Sequence, residues 1–509
     1  MKDFDIAKKF SFDVSWVFFS SIITLVIGFL IRPIIGRWLG AEALGIYSIL
    51  LTIQAIVMIF AGFGIPQALI KYIAQYKDNH SDTSTFASTG ILISLIFGII
   101  WSLLIFLLSG EIGRIFGILE LKENLQLFCF VFPILSFYNT QIGIFNGFRK
   151  MKLFASLVIF NEVIRTILII GFVALGYGIK GAVLGIILSY LISSVFIGIP
   201  LLRKYISFTI NNFLDNAKKL IPFGGKLATA ISVNEINNRL DIILVGYFLL
   251  ATSVGYYSVS LALSKFFWFI PLSIQRVTFP ATSEFWANGS QKKLETMANT
   301  TLKYSSILMV LIGLIIWFFG QKIILLLFGN EFLPALIPLK ILIIGTVIRG
   351  SIAQPIGSNL AAIGKPEINI KISLIIIFFN IIADLVLIPI YGISGAALAT
   401  SMSLIIGTIA ILWMNKRYLL ISFKRDWAIK IIVFLISIAL IREIFEFIIN
   451  NNYIFDIFII CFYLIFVYFF ITNYIERKII FRIIRLMLLK VPLIRKINLI
   501  KISKLEDEV

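Results

Sequence analysis

Residues 35–49 read IGRWLGAEALGIYSI and residues 245–259 read VGYFLLATSVGYYSV, and the two stretches align without a gap. Gly36, Leu39, Ala41, Gly45, Tyr47 and Ser48 coincide with Gly246, Leu249, Ala251, Gly255, Tyr257 and Ser258, at an offset of 210 residues. A second pair, YGIKGAVLG at 177–185 and YGISGAALA at 391–399, repeats the match at an offset of 214. Two such similar offsets indicate an internal duplication, a common way of building membrane carriers.

Outward from these motifs the chain is long, apolar and basic. Of its 509 residues 60% are hydrophobic and 14% charged, whereas a soluble domain averages roughly 45–50% and about 25%. With a mean hydropathy of +1.01, an ordinary soluble enzyme is excluded, because a globule of this size must leave surface for water. A helix crosses the hydrocarbon layer in about 20 residues. Fourteen segments qualify: 12–35, 46–70, 86–108, 124–146, 153–176, 181–202, 222–247, 253–274, 300–319, 333–357, 368–390, 394–415, 427–448 and 453–473. The duplicated motifs link segments six apart.

The expected fold is therefore an all-α polytopic membrane protein of about fourteen transmembrane helices. Residues 1–210 form an N-lobe of six helices and 211–418 a C-lobe of six in parallel repeat. Residues 419–474 add two further helices, and 475–509 form a basic interfacial tail. The net charge of +19 is concentrated in alternate loops, at Lys71 and Lys77, Arg149, Lys150 and Lys152, Arg203, Lys204, Lys218 and Lys219, Lys292 and Lys293, Lys365, Lys416, Arg417, Lys424 and Arg425. By the positive-inside rule these loops are cytoplasmic, as are both termini. The excess charge thus points to membrane orientation and to no nucleic acid. In the tail, Lys478, Arg482, Arg485 and Lys490 recur at helical spacing among apolar residues, a pattern suited to anionic membrane lipids. The two cysteines, Cys129 and Cys461, lie in apolar stretches and read as buried hydrophobes. With a single histidine, His80, the chain lacks the ligand clusters of a metal centre.

Five stretches carry a resemblance: GRWLGAEALGIYS after the first segment, FGIPQALIKYIAQY (63–76), IFNGFRKM (144–151), LGYGIKGAVLG (175–185) and LDIILVGYFLLATSVGYYSVS (240–260). In order and spacing the sequence resembles the polysaccharide flippases, the Wzx-like branch of the multidrug/oligosaccharidyl-lipid/polysaccharide exporter superfamily. The resemblance implies alternating-access translocation of a polyprenyl-(pyro)phosphate-linked oligosaccharide or polysaccharide repeat unit from the inner to the outer leaflet of the cell membrane, for cell-surface polysaccharide biosynthesis. The partners it implies are the lipid-linked oligosaccharide itself and a polysaccharide polymerase or glycosyltransferase machinery. The alternatives are a cation-coupled multidrug exporter or lipid II-type flippase of the same superfamily, and, further off, a membrane polysaccharide polymerase. The outer loops are short and no nucleotide-binding phosphate loop is present, which speaks against an enzyme and against direct ATP drive.

Charges inside a membrane span are costly and mark cavities or pairs. Lys265 and Arg349 have no acidic neighbour on their own helix, and with Arg32 and Arg165 they are the candidates for holding a phosphate. For two of the four there is an ordinary structural alternative: Arg165 can neutralise Glu162 three residues away, and Arg32 can reach towards the interface. Glu235 and Arg239 are similarly spaced to pair. Asp384 with Asn380 one turn earlier, and Asp241, are candidates for coupling to H+ or Na+; no other cofactor is expected. Asn139, Gln141, Asn161, Gln354 and Asn359 can bind sugar hydroxyls or join helices to one another. No aromatic residue stands out as a stacking platform among 48 Phe, 17 Tyr and 8 Trp.

Overall fold

Hydrocarbon offers no partner to a backbone N–H or C=O, so apolar segments satisfy these groups within themselves by forming helices. The computed structural model describes residues 2–423, 426–435, 437 and 453–472, and every regular element among them is helical. In chain order these are α1 (Lys2–Gly62), α2 (Ile65–Gln75), α3 (His80–Ile115), α4 (Leu119–Phe128), α5 (Val131–Gly147), α6 (Met151–Ala174) and α7 (Gly178–Leu202). There follow α8 (Phe213–Phe248), α9 (Ala251–Ala287), α10 (Gln291–Leu327), α11 (Asn330–Ala362), α12 (Pro366–Tyr391), α13 (Ile393–Leu419) and α14 (Tyr453–Phe466).

Among the described residues nine helices are long and apolar enough to cross a membrane, or ten with α4 and α5 taken as one span bent by 44°. The protein is a multi-pass membrane protein. Two predicted segments merge in α1, whose 61 residues kink at Gly40, where φ is 84°; a side chain there would be strained. Helix α8 is 36 residues long but more polar, with Lys226, Glu235, Arg239 and Asp241 along it. The large apolar side chains left exposed, such as Leu107, Phe196 and Phe378, are what a lipid-facing surface requires.

Residues 1–421 form one compact unit and 422–509 another. In the second unit the Phe434 ring stacks on Phe466 at 4.3 Å, and Lys430 Nζ donates to the Phe470 carbonyl at 3.0 Å. Most of the predicted thirteenth segment and the whole basic tail lie outside the described residues. Cys129 is buried but Cys461 stands exposed, because the apolar face of α14 that carries it is turned outward.

Within the first unit the two copies of the duplicated motif pack on each other reciprocally. A Cβ on Gly45 would overlap the Ala251 carbonyl, and a Cβ on Gly255 would overlap the Ala41 carbonyl. Ala41 and Gly45 are the counterparts of Ala251 and Gly255 in the sequence repeat. Only glycine allows backbones to approach this closely. Beside this contact Arg37 Nη2 donates to the Leu326 carbonyl at 2.7 Å, and the Ala41 N–H donates to Glu331 Oε1 at 2.9 Å. This end of the unit lies opposite the basic loops.

The predicted start of the seventh segment needs correction. Helix α8 begins at Phe213 and runs through Pro222, Gly224 and Gly225 without a break; its first turns carry Asp215, Lys218 and Lys219 and so escape an apolar window. The Gly224 backbone lies against Phe63 and Gly64. Between α1 and α2 the chain turns at Phe63 and Gly64, both at positive φ.

Candidate functional site

Helices α8, α9, α11, α12 and α13, with one edge of α1, surround a cavity of about 950 Å³. Its lining follows helical periodicity: Lys265, Trp268, Leu272 and Gln275 recur on one face of α9, and Arg349, Ala353, Gln354 and Gly357 on one face of α11. Both faces are locally reshaped. A 3₁₀ turn at Phe266–Trp268 interrupts α9, and a π-helical turn at Arg349–Ala353 interrupts α11. Such turns re-aim side chains that a regular helix would place elsewhere, and π turns recur at functional sites.

Four cationic side chains line the cavity, Arg32, Arg239, Lys265 and Arg349, against two carboxylates, Glu235 and Asp241. Arg239 stands 3.9 Å from Glu235. Arg32 Nη1 donates to the Ser258 carbonyl at 3.2 Å. Lys265 Nζ lies 5.5 Å from the Trp268 ring centroid. Arg349 Nη1 is buried with no hydrogen-bond partner. Arg349 lines the cavity with no ion-pair partner among the described residues, its Nη1 buried against Gly407; a guanidinium there suits an anion, because a planar fork of donors matches phosphate oxygens best.

On one wall of the cavity lies a cluster of oxygens. Asn380 Nδ2 donates to Asp241 Oδ1 at 2.6 Å and to Asp384 Oδ2 at 3.0 Å. Asp241 Oδ2 accepts from Thr400 Oγ1 at 2.9 Å and from the Tyr257 hydroxyl at 3.1 Å, while Ser403 Oγ donates to Asn380 Oδ1 at 2.7 Å. Asp241 and Asp384 are buried, and Asp384 Oδ1 has no hydrogen-bond partner. Two buried carboxylates joined through one amide suit a proton or a hard cation, for which oxygen ligands are the natural donors.

Of the residues singled out in the sequence, Arg32, Lys265, Arg349, Asp241 and Asn380 come together at the cavity, and Asp384 lies behind Asn380. Arg165 does not join them. It forms an ion pair with the buried carboxylate of Glu162 on its own helix α6. Lys226 is exposed, and Lys340 Nζ lies 5.5 Å from the Trp317 ring. Gln141 donates to the Ser194 carbonyl at 3.1 Å, Asn161 to Ser193 Oγ at 3.2 Å, and Asn359 Oδ1 accepts from Thr282 at 3.1 Å; all three join helices. Gln354 faces the cavity.

Sequence reasoning missed Tyr257, Thr400 and Ser403 as members of the carboxylate cluster, and Trp268. Tyr257 carried a signal, since it belongs to the duplicated motif. The others depend on which helices meet.

The sequence matches the family model described as polysaccharide biosynthesis protein over residues 12–286, and the model described as MatE over residues 232–386. A probable low-salt glycan biosynthesis flippase of Haloferax volcanii is 24% identical over 404 residues, covering 77% of this chain and 80% of the relative. A capsular polysaccharide biosynthesis protein of Staphylococcus aureus is 25% identical over 419 residues, covering 79% of this chain and 98% of the relative. Among solved structures, a lipid II flippase in an inward closed conformation superposes with a TM-score of 0.69 over 90% of this chain and 98% of its own, at 20% identity. The fold is thus shared with it.

Proposed function

Because the chain belongs to the polysaccharide biosynthesis protein family, we propose that it is a flippase, moving a polyprenyl-(pyro)phosphate-linked oligosaccharide or repeat unit from the inner to the outer leaflet of the cell membrane by alternating access. It acts as a carrier and not on the glycan's covalent bonds. The observation that carries this reading is the cavity in which Lys265, Arg349 and Arg32 face a common space, with Arg349 Nη1 unpartnered. A lipid-linked phosphate brings the charge this cavity lacks, and a basic lining raises the local concentration of such an anion. A cationic drug would meet repulsion there.

The orientation proposed has both termini in the cytoplasm and the basic loops on that side. Residues 1–210 and 211–418 act as two lobes, the second lining most of the cavity and the edge of α1 completing it, and they separate at the Gly45–Gly255 contact when the cavity opens outward. The Asp241–Asn380–Asp384 cluster is the proposed coupling site for H+ or Na+: binding one cation relieves the repulsion between two buried carboxylates. The reading places the protein upstream of a polysaccharide polymerase or glycosyltransferase machinery that uses the delivered glycan.

The test is reconstitution of the purified chain into vesicles holding a fluorescent lipid-linked oligosaccharide in one leaflet. Movement to the other leaflet, followed by a membrane-impermeant quencher, is expected to require the protein. Dye transport without lipid transfer would favour the multidrug reading instead.

A further inference from the structure

The cavity is chemically graded, and the gradation describes its cargo beyond the phosphate. On α9 the lining passes from Lys265 through Trp268 to Gln275, about 15 Å by helical rise. On α11 it passes from Arg349 to Gln354, about 8 Å by the same rise. Both helices run towards the basic-loop end, so the neutral amides lie nearer that end than the cations do. A chain rich in aromatics places only one of them in this lining among the described residues, Trp268. Its ring is held: Nε1 donates to the Thr346 carbonyl at 3.3 Å, and Lys265 Nζ lies 5.5 Å from the ring centroid. Beyond it Gln354 Nε2 donates to Gln275 Oε1 at 3.0 Å, which leaves Gln275's amide hydrogens and Gln354's carbonyl oxygen without a protein partner among the described residues.

On the reading of this cavity as a lipid-phosphate site, we propose that Trp268, Gln275 and Gln354 form a glycan subsite that takes a neutral sugar joined directly to the phosphate. A flat indole fixed beside a cation offers its face to the C–H face of a pyranose whose phosphate lies on Lys265 and Arg349. The amide pair offers one free donor and one free acceptor to the sugar's hydroxyl or acetamido groups. With no cation beside Gln275 and Gln354 in the lining among the described residues, a carboxylate or sulfate on this first sugar would be desolvated without a counter-charge, so such a sugar is disfavoured.

The subsite is tested in vesicles with three fluorescent polyprenyl probes: a bare phosphate, a phosphate joined to a neutral N-acetylated sugar, and a phosphate joined to a uronic acid. The wild-type protein is expected to move the neutral-sugar probe faster than the uronic one. W268A is expected to slow the neutral-sugar probe by on the order of tenfold more than it slows the bare phosphate. W268F, which keeps the ring face, is expected to restore most of the rate, and Q275A/Q354A to lower the preference for the neutral sugar. Equal slowing of the bare and sugar-bearing probes by W268A would make the ring a structural prop and overturn the subsite, as would a wild-type preference for the uronic acid. Failure of the wild-type protein to move any probe would overturn the flippase reading itself, and the subsite with it.

Discussion

In the first half of the 1–421 unit, the buried carboxylate Glu162 is bound to Arg165, and the amides Gln141 and Asn161 bridge to Ser194 and Ser193 of α7. In the second half, Asp241 and Asp384 share one amide, and Arg349 lines the cavity with no carboxylate in ion-pair contact among the described residues; a buried guanidinium nitrogen without a hydrogen-bond partner occurs in both halves, at Arg165 and at Arg349. Only Leu25 and Arg32 of the cavity lining come from the first half. The offsets of the repeat sharpen the contrast. Asp241 falls on Ile31 at an offset of 210, and Asp384 and Thr400 fall on Ile170 and Ile186 at 214. Glu162 and Arg165 in turn fall on Ile376 and Phe379. One scaffold was duplicated, and its halves hold charge at different places for different ends. Charges that satisfy one another are stabilised in place; charges left facing a cavity are available to a cargo or an ion.

The strongest way to break this comparison is to neutralise the second-half carboxylates. D241N and D384N are each expected to lower lipid transfer at least tenfold and to abolish its response to an imposed H+ or Na+ gradient, measured in reconstituted vesicles. Transfer that keeps its gradient response in both variants would remove the cluster from coupling. In the first half, R165M strands a buried carboxylate and is expected to destabilise the fold by about 3–5 kcal/mol, read as a lowered thermal midpoint in detergent. E162Q/R165M is expected to recover most of that midpoint and to transport. A stable but inactive double variant would give the first half a working charge as well.

A smaller effect tests the symmetry of the repeat. G45A and G255A each push a methyl into the opposing backbone, and each is expected to cost about 1–3 kcal/mol, by similar amounts because the contact is reciprocal. The least effect is expected at the exposed pair Lys180–Glu123, 2.7 Å apart. The Lys180 ammonium holds the Glu123 carboxyl below its usual range, and Glu123 raises the Lys180 amine. What the pair contributes is present from the ordinary carboxylate range upward. It fades as pH falls through the lowered Glu123 value or rises through the raised Lys180 value. At neutral pH, E123Q is expected to leave the thermal midpoint unchanged, since solvent screens exposed pairs.

Much of this was legible in the sequence, for identifiable reasons. The repeat could be read because IGRWLGAEALGIYSI and its copy need the same glycines at the same close contact. Lys265 and Arg349 stood out because no acid lies within one helical turn of either. Glu162 and Arg165 could be read two ways, since three-residue spacing serves a pair as well as a site. What stayed hidden depends on helices meeting. Thr400 lies far from Asp241 in sequence, and their contact exists only because α13 packs beside α8. Trp268 is one aromatic among many, distinguished only by the 3₁₀ turn and by the Thr346 carbonyl of a neighbouring helix. The early start of α8 was lost because its charged first turns look like loop.

The central claim is that the second-half cations hold the lipid-linked phosphate. The most direct measurement is leaflet transfer of a fluorescent polyprenyl-pyrophosphate oligosaccharide by K265A/R349A in vesicles, beside the wild-type protein at equal incorporation and equal thermal midpoint. Each lost charge-assisted contact is worth about 1.5–3 kcal/mol, so transfer is predicted to fall at least a hundredfold. Transfer by the double variant at the wild-type rate would contradict the account.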